Sequence, residues 1–176
     1  HDVQLGQFAL GAVVAQVLDH ARRPTGVDAG SSAGIVLDRE VDVSRGDWIL
    51  AAPSAAAPAD DGFDAPVEHS AWPGRREISA TVAWMDDEPL VVGRVYWALH
   101  GHRWVKAKVR RVVHCLNIHT LAKEGAHQLE PNAIGHVELV LQEPLPVAAF
   151  EQARVLGALI LVDQASHKTA GAVLAH

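Results

Sequence analysis

The chain has 176 residues, 49% hydrophobic and 20% charged, which supplies enough apolar material for a packed core and too much for disorder throughout. A formal net charge of -6 argues against general affinity for nucleic acid, and no apolar run approaches the roughly 20 residues needed to span a bilayer. The single cysteine, Cys115, excludes an intrachain disulfide and fits a reducing compartment. The opening residues lack a basic stretch followed by a long apolar run, so no secretory leader is expected and a soluble cytoplasmic location is.

In chain order, "GAVVAQVL" is the first strand candidate, since its valines are stiff at Cβ and suit a pleated surface, although its Ala and Leu would also suit a helix. "AGIVLDREV" follows a Gly/Ser turn signal at Gly30 to Ser32 and reads as a second strand. "DVSRGDWI" comes next, and its Arg45-Gly46-Asp47 triplet sits where a tight turn is expected, with Gly46 taking backbone angles that other residues resist. Residues 51–76, rich in Ala, Pro and Asp, read as a linker or mobile loop.

Beyond residue 76 the pattern becomes regular. Ile78, Ala80, Val82 and Trp84 alternate with Ser79, Thr81 and Ala83. Val95, Trp97 and Leu99 share one face of the next run, and Val105, Ala107 and Val109 alternate with Lys106, Lys108 and Arg110. Val137, Leu139 and Leu141 oppose Glu138 and Val140, and "VLGALILVDQASHKTAGAVLAH" reads as a closing hairpin with its turn between Asp163 and Thr169. Five or six short strands with no strong helix between them describe a small antiparallel barrel or sandwich.

The residues that could carry chemistry form no catalytic or nucleotide-binding pattern. The chain has four lysines, Lys106, Lys108, Lys123 and Lys168, and none stands in a G-x-x-x-x-G-K-[ST] loop. G-x-G-x-x-G and G-x-S-x-G are absent as well. Eleven histidines invite a metal reading, with His100, His102, His114 and His119 the nearest set, and Cys115 beside it. The paired C-x-x-C or H-x-x-x-H elements of a zinc site are missing, so solvated or hydrogen-bonded histidines are expected there and at His20, His69, His127, His136 and His167. Asp60 with Asp61 and Asp86 with Asp87 read as solvated turns, and Cys115, inside an apolar run, as packing. Lys106, Lys108, Arg110 and Arg111 read as a wet strand face and secondarily as a partner-binding patch. No catalytic, cofactor-binding or metal residue is assigned.

At "IVLDREVDVSRGDWI" the chain resembles the second domain of the large, GTP-binding subunit of bacterial sulfate adenylyltransferase, through Leu37, Glu40, Asp42, Ser44, Arg45, Gly46 and Asp47. Past residue 76, Trp84, Met85, Glu88, Pro89, Leu90, Gly93, Arg94 and Tyr96 match the pattern of that family's third domain, and "NIHTL", "LEPNAIGHVEL" and "EPLPV" follow in order. The resemblance covers roughly residues 35 to 175. It implies the translation-factor type of fold, all-β, with two small antiparallel barrels: a partial second-domain-like barrel at 1–50, the linker at 51–76 and a third-domain-like barrel at 77–176. The Arg-Gly-Asp triplet then becomes a strand-to-strand turn rather than an adhesion signal.

In that family the small subunit transfers an adenylyl group from ATP to sulfate, and the large subunit hydrolyses GTP to drive the step. The resemblance therefore implies a non-catalytic barrel portion of the large subunit, partnered by the small catalytic subunit and by the GTPase domain of the parent chain, with no nucleic acid and no membrane. GTP and magnesium belong to that GTPase domain, whose motifs this sequence does not contain, so no cofactor is expected here. The alternative is a stand-alone barrel module for interaction or scaffolding.

Overall fold

The computed structural model describes residues 2–5, 10–51 and 72–176, which fall into two compact units divided after Ala71. The first contains β1 (Asp2–Leu5), β2 (Leu10–Leu18), β3 (Gly34–Leu37) and β4 (Ile49–Ala51). They form one open antiparallel sheet in the order β3-β2-β1-β4. The valines of β2 outweigh the helix preference of its Ala and Leu once β1 and β3 pair on either side. Its core is thin: Ala12 is buried, with Val14, Leu37 and Val41 packed against it.

The strand expected over "AGIVLDREV" ends at Leu37, because Asp38 turns back to hold β2. Its Oδ1 accepts from the Val13 amide at 2.8 Å, and its own amide donates to the Val13 carbonyl at 2.9 Å. The tight turn is where the sequence puts it. The Asp47 amide donates to the Ser44 carbonyl at 3.1 Å, the Asp47 carboxylate accepts from the Ser44 amide at 2.9 Å, and Gly46 sits at φ 100°. That turn lies on a connection running from one sheet edge, β3, to the other, β4, so the strands it joins are not hairpin partners. The expected linker, including Asp60, Asp61 and His69, lies outside the described residues except at its two ends.

The second unit begins with β5 (Arg75–Trp84), β6 (Leu90–Val91), β7 (Val95–His100) and the 14-residue β8 (Arg103–Leu116). Two short strands, β9 (Lys123–Glu124) and β10 (Gln128–Leu129), precede β11 (Ile134–Leu145), a four-residue helix α1 (Arg154–Gly157), β12 (Ala158–Val162) and β13 (Thr169–Ala175). The sheet runs β11-β5-β13-β12-β7-β8 and returns on itself, because β11 pairs with both β5 and β8. Six antiparallel strands thus close a barrel, the architecture expected from the alternation, and β12–β13 is its closing hairpin.

The alternation read from the sequence holds in β5, β8 and β11: Ile78, Ala80, Val82, Trp84, Val105, Ala107, Val109, Val137, Leu139 and Leu141 all point into the core. In β7 the face is the opposite one. Tyr96, Ala98 and His100 are buried, while Val95, Trp97 and Leu99 lie outside. Apolar character failed as a guide there because both faces of β7 carry it. Register decides instead: Ala98 lies opposite Val105 and Tyr96 opposite Ala107, both inward residues of β8. Two bulges bend β8 around the barrel, since Leu139 faces Val109 and Glu138 faces Arg111, leaving Arg110 as the extra residue. A second extra residue, Val113, falls between the pairs His136–His114 and Val137–Val112.

Candidate functional site

Three features of the barrel can meet a partner or ligand. The first is a polar knot at one rim. β5 ends with Trp84 in the core, its indole N–H donating to the Glu88 carbonyl at 2.7 Å and so fixing the loop that leads to β6. Arg94, one residue before β7, reaches Glu88 Oε2 at 2.7 Å and Asp163 Oδ1 at 2.9 Å, and its guanidinium lies 5.3 Å from the Tyr96 ring centroid. Asp163 caps the β12–β13 turn: its Oδ2 accepts from the Ser166 amide at 2.8 Å, the Ala165 amide at 3.0 Å and the Ser166 hydroxyl at 3.0 Å. Those bonds, the Ser166 amide first and the Arg94 fork with it, hold the carboxyl well below its usual range against the opposing pull of burial. Tyr96 packs edge-on to Trp84 at 5.3 Å, and burial pushes its phenol up to about 12. The knot joins residues far apart in sequence, and every charge in it is matched, so it is a positioning device for two loops rather than a reactive centre.

The second feature is a row of histidines across the outer face of β8, β11 and β5. His136 and His114 are register partners, and their rings stack 5.4 Å apart at 6°. The His176 ring follows at 5.3 Å. Hydroxyls of β5 anchor two of them, Ser79 Oγ with His136 Nε2 at 2.6 Å and Thr81 Oγ1 with His176 Nε2 at 2.8 Å. Burial holds His136 below its ordinary value, with His176, His114 and Lys123 acting in the same direction and Glu138 against them.

The third feature is the outer face of β7, β8, β12 and β13. Ile160 sits across from Leu99 and Leu99 across from Trp104, which is 51% exposed. Leu174 and Val95 extend the exposed apolar strip, and Lys106 crosses it with its ammonium 5.5 Å from the Trp97 centroid. Lys106 and Lys108 stand exposed on this face, whereas Arg110 and Arg111 are paired with Glu77 and Glu138.

The four histidines of the metal reading are not brought together. His100 is buried inside the barrel with Nε2 2.9 Å from the Leu156 carbonyl oxygen. His102 lies exposed in the β7–β8 turn, and His119 is exposed in the loop after β8. Among the described residues, no three His, Cys, Asp or Glu side chains are spaced to hold a metal ion. Cys115 is half-buried, its thiol near the Ile134 carbonyl at 3.6 Å. Asp86 and Asp87 lie in the loop after β5. The row that does form, His114, His136 and His176, escapes sequence reading because its members are joined by barrel register and not by spacing.

Among the described residues no helix is long and apolar enough to cross a membrane. Residues 77–174 match the family described as GTP-eEF1A C-terminal domain-like. Sulfate adenylyltransferase subunit 1 of Laribacter hongkongensis is 34% identical over 81% of this chain and 27% of its own length. The bifunctional enzyme CysN/CysC of Xylella fastidiosa is 34% identical over 82% of this chain and 20% of its own length. The chain thus spans about a quarter or less of these curated relatives. Among solved structures, Sup35 complexed with GDP has the same fold, with a TM-score of 0.76 and 15% identity over 99% of this chain and 40% of that one. The motif resemblance to the sulfate adenylyltransferase large subunit is therefore borne out, and the chain belongs to the GTP-eEF1A C-terminal domain-like family.

Proposed function

We propose that this chain serves as the non-catalytic β-barrel portion of a GTP-dependent sulfate adenylyltransferase large subunit, supporting assembly with the small catalytic subunit and coupling to a GTPase domain during cytoplasmic sulfate assimilation. In this reading, GTP and magnesium are held by the GTPase domain. No residue of this chain is assigned to them, because its sequence contains none of the loops that cradle phosphates. The small subunit performs the adenylyl transfer from ATP to sulfate, and the barrels supply surface.

The observation that carries the reading is the outer face built on Trp97, Leu99, Trp104 and Ile160. It joins large apolar side chains to the exposed lysines Lys106 and Lys108, the composition of a protein-binding centre with a polar rim. In this reading the surface meets a subunit of a sulfate adenylyltransferase, the enzyme whose subunit 1 this chain is similar to. Calorimetric titration of the chain with a sulfate adenylyltransferase small subunit should give a Kd of about micromolar or tighter. Trp104→Glu should weaken that at least about tenfold, since an exposed aromatic anchor would be replaced by a charge. No binding by the folded chain would overturn the assembly role and favour a stand-alone interaction module.

A further inference from the structure

We propose that the groove lined by Thr81, His114, Leu116, Lys123, His136 and His176 is a proton-coupled binding site for a small organic anion. It lies on the outer side of the barrel, where β5, β9 and the ends of β8 and β11 meet, and encloses about 400 Å³. That volume falls within the range of small-molecule pockets, about 300–1,000 Å³.

Charge sets the sign of the ligand. Every titratable side chain lining the groove is a base: His114, His136, His176 and Lys123. The carboxylates on the surrounding strands are engaged elsewhere, Glu138 with Arg111, Glu77 with Arg110 and Glu124 with the Asn117 amide. Protonating His136 places a cation between the stacked His114 ring at 5.4 Å and the tilted His176 ring at 5.3 Å and beside an ammonium, with no carboxylate among the lining side chains to offset it. An anion seated in the groove supplies that compensation, so binding and proton uptake favour each other. When His176 Nε2 is protonated and donates to Thr81 Oγ1, the Thr81 hydroxyl proton is available to an oxyanion, while Leu116 and Ile134 form apolar walls that suit a carbon skeleton better than a bare inorganic ion.

Geometry disfavours a metal in the same place. The rings of His114 and His136 are nearly parallel, so their nitrogen lone pairs lie in separate planes and do not converge. Nε2 of His136 and Nε2 of His176 are also already engaged by hydroxyls of β5.

Benzenesulfonate tests the idea, since its negative charge does not titrate across the histidine range and its ring matches the apolar walls. Calorimetry on the full chain should show affinity rising about tenfold or more from about pH 8 to about pH 5.5, with histidine NMR titrations shifting to higher pH when the ligand is present. His136→Gln and His114→Gln should each cut that gain to less than about threefold, and Lys123→Met should weaken binding at both pH values alike. Circular dichroism at each pH keeps the comparison to folded protein, and the two histidine variants guard against one that fails to fold. An affinity flat with pH, or a gain retained in both histidine variants, would overturn the proposal. The small-subunit titration uses no such ligand, so either reading can fail alone.

Discussion

The two units are built from the same kind of strand, yet only one has a substantial core. In β5 the inward residues Ile78, Ala80, Val82 and Trp84 are all buried, whereas three of the four residues of β3 are exposed, Ile35 and Val36 at 43% and 40%. Ile35 and Val36 are consecutive, so they face opposite sides of their sheet, and both remain exposed. Closure makes the difference: β11 pairs on both sides and removes the barrel's edges, while β3 and β4 are the two edges of the first sheet among the described residues. A long alternating strand becomes half core only when the sheet wraps round and gives its inward face something to pack on.

The largest effect should follow from opening the barrel's centre. Leu139 is 1% exposed on the strand that closes the sheet. Leu139→Ala should cost about 2–5 kcal/mol in urea unfolding, because the surrounding strands cannot collapse into the space. A loss below about 1 kcal/mol would mean that the barrel core is far more yielding than its closure implies.

Next in size is Asp163. Removing its carboxylate frees the Ser166 and Ala165 amides and leaves Arg94 with Glu88 as its remaining salt-bridge partner. Asp163→Ala should cost about 2 kcal/mol at neutral pH. Because the folded-state pKa lies below the unfolded value, the carboxylate's contribution is complete above about pH 4 and is lost as pH falls through the folded value. The gap between parent and variant in thermal unfolding should therefore narrow on acidification below about pH 4, and a gap that widens there would refute the capping role.

Much of the barrel was legible because local alternation and closure agree. Lys106 and Lys108 between Val105, Ala107 and Val109 leave only one way to turn β8. β7 was not legible in this way, since Trp97 and Leu99 are as apolar as the Tyr96 and Ala98 that are buried, and only pairing with β8 separates them. The candidate sites share that limit. The Arg94–Asp163 contact spans 69 residues and His136–His114 depends on a register containing bulges, so both follow from which strands pair rather than from any local motif. The "SRGD" turn was legible because Gly46 and the Asp47 carboxylate close it within four residues, yet its role in crossing between sheet edges was not.

The smallest expected effect tests the other half of the comparison. Ile35→Ser removes a β-branched apolar side chain from an edge strand, a change that would be severe if the position were core. At 43% exposure Ile35 keeps far more of its surface in water than a core residue does, and its strand pairs only with β2 among the described residues. The loss should stay within about 1 kcal/mol, and the equivalent change at Val36, on the opposite face, should match it. Equal small losses would show that the first sheet is open on both sides in solution. A loss above about 1 kcal/mol at one position and not the other would instead identify a covered face of the sheet.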